Sequence, residues 1–452
     1  MALQPSTLKT VIHGGRFCEI SDDELLYLVK NEFSDELTRL QRAYPLKDLS
    51  VRKVGTPSPS FRLYGVEFNE VDRTLVGVLA LRWILQKDYE TFVGSQPEAT
   101  KLQPESFYWI CKLFEESLVR DTDLYSIMVS MIINDLGKDP YLAMDYQTKT
   151  GIDISKQNHD MILYRAVEAE LVPCLRRLPQ NDQEDISLGI KLGSEFNFGQ
   201  LAQAENVPAC LFGLTKMKGH TRAFKMRLME QILDIAGAAG HLDHSCALKL
   251  IDPIFQAYKN VYDVAIGIID GGLGLREGYD TVLIRRLEML KHNCFKNSFD
   301  VTITKERALM RLFCMGGVSN AQQAQLFYDA FNSISDATRA ALVDGLNIDG
   351  SITKPAVVPT YIPAMLGLAL RNTIRNLRGE KLLALASMLR YLARVLTVTE
   401  RDLEKLPKNV IVIERNVRIQ AEKIVGGENF QRDPAVLDKV PIPHNEIAML
   451  AS

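Results

Sequence analysis

No CxxC pair occurs among the seven cysteines of this 452-residue chain, which are odd in number and widely scattered. That pattern argues against a disulfide framework and a cysteine zinc site, and it fits a reducing compartment, here the cytoplasm. Charge of one sign is not in excess, since 53 Lys and Arg face 56 Asp and Glu, for a net charge of −3. Neither a nucleic-acid partner nor a disordered acidic tail is expected. Long apolar runs are also missing. The most apolar, Leu75 to Leu85, is shorter than the roughly 20 residues a bilayer needs, so no membrane partner is expected. The N-terminus has no positively charged start followed by an apolar stretch, which predicts no secretory signal. GxSxG and Walker patterns are absent, and Gly271-Gly272-Leu273-Gly274 has neither GxGxxG spacing nor a preceding strand. Strand signals are scarce and no repeat of 20–50 residues is visible.

What remains is a chain of ordinary globular composition, 46 % hydrophobic and 24 % charged. Apolar residues recur at helical spacing almost throughout. Residues 1–20 read as irregular. Helices are expected over 22–43, 70–93, 105–118, 122–134, 153–177, 221–239 and 246–268. More follow at 279–293, 304–315, 319–332, 335–344, 362–378 and 380–396. Val410-Ile411-Val412-Ile413 reads as one short strand. Prolines 45, 57 and 59 mark a loop over 44–66, and Pro355 and Pro359 set off a last part. The expected fold is mainly α, a large multi-helix globule. Its parts are an N-terminal helix and loop (1–66), a helical core (67–350) and a C-terminal helical extension (351–452).

The chemistry-bearing residues concentrate between Asp121 and Glu170. An apolar helix runs into Ile132-Ile133-Asn134-Asp135-Leu136-Gly137-Lys138, where Gly137 offers a left-handed C-cap. Asn158-His159-Asp160 follows. Carboxylates and neutral imidazoles on buried helices are a donor set for a divalent metal. His241 and His244 come later, after Gly237-Ala238-Ala239-Gly240, whose small residues permit close helix packing.

The run from Ile132 to Lys138 resembles the HD superfamily of helical metal-dependent phosphohydrolases, in which an apolar helix ends in His-Asp followed by a small apolar residue, Gly and Lys. The resemblance covers about seven residues, and Asn134 stands where that family has its histidine. The helix before also lacks the family's leading histidine, since none occurs over 90–133. The resemblance implies an HD-like core and a divalent metal (Fe, Mn or Zn) held by Asp135, His159 and Asp160 with His241 and His244. It implies a hydrolase or oxygenase acting on a small molecule. Lys138 or Arg165 would then hold an anionic group. Asp135, Lys138 and Glu205 are the candidate catalytic residues. The alternative is a non-catalytic HD-like helical protein that binds a small molecule or a partner after its ligands have decayed.

Each feature also has a plainer reading. Asp135 beside Gly137 would cap a helix end, and His159-Asp160 would open a helix, with Asp160 favoured by the dipole. The stretch from Leu192 to Asn206, rich in amides and aromatics, lines a cavity shared by Gln200, Gln203, Glu205 and Asp135, or else it is a helix start with an amide-rich cap. His241 and His244 share a face only if Gly240 leaves the segment helical.

Overall fold

A computed structural model describes residues 7–43, 55–292 and 298–451. Helix dominates these residues, with three short strands among them, so the chain is mainly α. It divides into two compact units. The first comprises Met1–Ser194 with Gly219–Gln256, and the second Glu195–Lys218 with Ala257–Ser452. Residues 66 and 67 both fall in the first unit, and 350 and 351 both in the second.

The first unit is built around the helix Asn69–Gln86, in which 14 of 18 residues are buried. The run Leu75 to Leu85 is the interior of this helix, and among the described residues no helix is long and apolar enough to cross a membrane. Thr221–Gly237 packs along it, and Asp123–Ile133 packs against both. Glycine sets the approach. A Cβ on Gly237 would lie 2.0 Å from the Arg73 carbonyl oxygen, and one on Gly77 would lie 3.1 Å from that of Leu233. The small residues after Ile235 therefore do allow close packing, and they bring the polar faces of the two helices into register.

Several expected boundaries move. Residues 1–20 are not wholly irregular, because Thr7 caps a helix over Leu8–His13. The helix over 22–43 is two, Asp22–Glu32 and Ser34–Arg42, separated at Phe33. The helix over 70–93 stops where Lys87 turns left-handed (φ 56°), and Tyr89–Val93 restarts on an Asp88 cap. Of the loop over 44–66, residues 44–54 lie outside the described residues, and Pro59–Tyr64 is a helical turn. The helix over 153–177 shrinks to His159–Glu168 with a 3₁₀ turn at Pro173–Arg177.

The second unit is organised on the helix Arg378–Leu396, against which Ala321–Ser333, Asp336–Leu346 and Ile362–Arg371 pack. Its sheet has the order β1 (Ala356–Val358), β2 (Val410–Glu414), β3 (Glu446–Leu450), parallel then antiparallel. The expected strand at Val410–Ile413 is β2. Its branched apolar residues pack with Val207 and Ala356 in a small core of their own.

Candidate functional site

The helix Asp123–Ile133 is buried on almost every side, and Asn134 and Asp135 follow at its end. Asp135 begins a 3₁₀ turn over Leu136–Lys138, and its side chain caps nothing. Gly137 is not a left-handed cap, since its φ is not among the positive ones. Its lack of a side chain serves another purpose. A Cβ there would lie 1.9 Å from the His159 carbonyl oxygen, so glycine lets the turn lie directly on the start of a later helix. That helix, His159–Glu168, opens with Asn158, whose side chain accepts the Met161 N–H at 2.8 Å. Asp160 sits in its first turn, as expected for an acid at a helix N-terminus.

This packing brings Asp135 and His159 together, with Nε2 of His159 at 4.0 Å from Oδ1 of Asp135 and 3.7 Å from Oδ2 of Asp160. The partners of Asp135 at shorter range are cations. Lys138 Nζ lies 2.9 Å away, and Arg73 Nε lies 3.4 Å away. Lys138 donates also to Glu70 at 2.8 Å, and Arg73 donates to Asp234 at 2.6 Å. One turn back, Arg227 donates to Asn134 Oδ1 at 3.0 Å and to Glu230 at 2.6 Å, and it reaches Asp160 at 3.4 Å. Ser130 donates to the other oxygen of Glu230 at 2.9 Å. Gly193 makes room for the Arg227 guanidinium, which a Cβ there would meet at 2.4 Å.

The result is one buried network in which Arg73, Lys138 and Arg227 face Glu70, Asp135, Asp160, Glu230 and Asp234. Burial opposes ionisation of Asp135, but Lys138, Arg73 and His159 outweigh it and hold the carboxyl well below its usual range. Burial also opposes the charge of Lys138, and Asp135 and Glu70 more than restore it. For Glu70 and Glu230 burial wins over the cations and pushes the carboxyls up. Carboxyls outnumber the arginines and lysine of the network, five to three.

A metal fits this donor set poorly. Asn134, which stands where the resemblance would ask for a histidine ligand, has its oxygen accepting from the Arg227 guanidinium. The anionic ligand Asp135 is already neutralised by two cations, which would repel a third. Among the described residues no three His, Cys, Asp or Glu side chains are placed to hold one ion. His241 and His244 lie beyond the helix end in a turn, so they do not share a helical face; His244 Nε2 is 3.1 Å from Thr56 Oγ1.

Glu205 belongs to the second unit, whereas Asp135 belongs to the first. The plainer reading of its neighbourhood holds, with Asn197 accepting the Gln200 N–H at 3.0 Å to cap Phe198–Ala202. Glu205 itself accepts the backbone N–H of Tyr361, a left-handed residue (φ 75°) that opens Ile362–Arg371. Burial pushes its carboxyl up to about 8 against those backbone bonds, and Glu414 adds to the rise.

The residues missed by the sequence reading are Glu70, Arg73, Arg227, Glu230 and Asp234. Their signal was present as charges three and four apart within each helix, a spacing that places them on one face.

The chain belongs to a family of unknown function, DUF6829, whose model matches residues 26–437. No curated protein and no solved structure matches it.

Proposed function

We propose that this chain is a non-catalytic helical binding or interaction protein, with an HD-like motif whose metal site has decayed into an internal ion-pair network. One observation carries the reading. Lys138 and Arg73 lie at 2.9 and 3.4 Å from Asp135, and Arg227 at 3.0 Å from Asn134, where the resemblance asks for metal ligands. Side-chain cations thus supply the charge that an ion would supply. Asp135 is then a structural anion, and Lys138, held by Asp135 and Glu70, has its charge committed inside the protein. A small molecule is a better fit as the bound species than nucleic acid, given the near balance of charge.

Metal analysis of the purified chain tests this. The expected result is no stoichiometric iron, manganese or zinc, with metal content and chelator sensitivity unchanged in Asp135→Ala. Stoichiometric metal in the native protein that is lost from Asp135→Ala would restore the enzyme reading, because removing an anionic ligand releases the ion.

A further inference from the structure

A cleft of about 310 Å³ opens in the first unit beside the helix Ser34–Arg42. Its size is at the low end for small-molecule sites. One wall is charged and comes from that helix. The other is the apolar run Leu171, Val172 and Pro173, and Leu136 from the turn after Asp135 completes the lining.

The cleft is lined by two arginines and two acids, but they are not equally free to meet a ligand. Arg39 and Arg42 both line it, but both donate to Asp139, at 3.1 and 2.8 Å, and Arg39 donates also to Asp145 at 2.6 Å. Asp139 is fully buried, so these two guanidiniums are tied to the wall. Asp35 and Glu36 remain. Glu36 is 2 % exposed, and its Oε2 has no hydrogen-bond partner. The nearby charge of Arg177 and the thiol of Cys174 act on this carboxyl, yet that oxygen is left without a donor. A buried acceptor without a donor is destabilising, and more so when it is charged. A ligand that brings a donor into the cleft removes that cost.

We propose that this cleft binds a small organic cation, a primary ammonium on a short apolar stem. The ammonium donates to Glu36, and the stem lies on Leu136, Leu171, Val172 and Pro173. The inference deepens the binding-protein reading by naming a site and a ligand class, and it rests on that reading only for the word binding.

Calorimetric titration of the full chain with n-butylammonium chloride, against sodium butyrate as the anion of matched stem, tests it. The expected result is saturable binding of the amine and none of the acid. A charged hydrogen bond of ordinary strength predicts that Glu36→Gln weakens the amine at least about tenfold. Leu171→Trp, a change at a half-buried wall residue that leaves Glu36 in place, should block the amine as well, and it decides the matter if Glu36→Gln does not fold. No amine binding, butyrate binding as tight as the amine, or undiminished amine binding in a folded Glu36→Gln or Leu171→Trp variant would overturn the site. Metal content plays no part in this readout, so a failure here is separable from a failure of the reading above.

Discussion

Asp135 in the first unit and Glu205 in the second are both buried carboxyls, 4 % and 6 % exposed, and their surroundings drive them in opposite directions. Asp135 faces side-chain cations, which hold it ionised against burial. Glu205 faces the Tyr361 amide and another carboxyl, Glu414, and burial pushes it up to about 8. The contrast extends to the arginines around them. Arg73 and Arg227 point at carboxylates. Arg311, fully buried in the second unit, donates instead to the carbonyls of Ala204, Leu346 and Asn206 at 3.0, 2.9 and 2.6 Å. Around Asp135 buried charge is balanced by opposite side-chain charge, and at Arg311 by peptide dipoles. Burial alone therefore says little about the state of an acid; the kind of partner decides it.

The largest effect expected from this contrast is in pH dependence. A carboxyl raised from 4.5 to about 8 binds its proton more tightly in the folded chain than in the unfolded one. Its contribution is fully present below pH 4.5 and is lost as pH rises through 8, a swing on the order of 5 kcal/mol at most. Asp135 has the opposite sign. Its contribution is present above the usual carboxylate range near pH 4 and is lost as pH falls toward its lowered value. Urea unfolding followed between pH 5 and pH 8.5 should show stability falling with pH in the native chain and a flatter profile in Glu205→Gln. Parallel profiles for the two proteins would remove Glu205 from the comparison.

Next in size is Asp135→Ala. It leaves Lys138 and Arg73 buried with one counter-charge fewer, which typically costs about 3–5 kcal/mol. The loss should appear as a lowered urea midpoint at neutral pH and should shrink in acid, where Asp135 no longer contributes. A midpoint within error of the native one would mean that the network tolerates the gap and that Asp135 is not needed as its counter-charge.

How far the sequence showed this in advance depends on the length scale of each feature. Helix 104–117, helix 304–315 and strand β2 carry their signals locally and lie where the apolar spacing puts them. The nearness of Asp135 and His159 was legible from the family-like string, but the reason was not, because Gly137 acts by contact with a carbonyl 22 positions away rather than by its own dihedral angles. The partners Arg73 and Asp234 were hidden for the same kind of reason. They meet only because Gly77 and Gly237 let two helices close on each other, and a crossing between elements more than a hundred residues apart leaves no local trace. The left-handed turn at Lys87 that cuts one helix short has no glycine to announce it.

The smallest effect should come from His159, and it separates the network from its rim. Its ring nitrogen is 4.0 Å from Asp135 and 3.7 Å from Asp160, both beyond hydrogen-bond range, and its side chain is 36 % exposed. An ion pair so placed is screened by water and contributes about 0–1 kcal/mol. The backbone of His159 matters more than its ring, since its carbonyl is what Gly137 packs against and its helix holds Asp160 toward Arg227. His159→Gln keeps that backbone and should shift the unfolding midpoint by less than a fifth of the Asp135→Ala shift, with the acid-side loss of Asp135 moved slightly to higher pH, since His159 is the weakest of the three cations that hold that carboxyl down. If instead the imidazole were a ligand to a metal shared with Asp135, the two substitutions would lower stability by similar amounts and would not add when combined. The double variant therefore compares the two histories of the site directly: additive losses mark an ion-pair network with a histidine at its edge, and non-additive losses of equal size mark a metal centre.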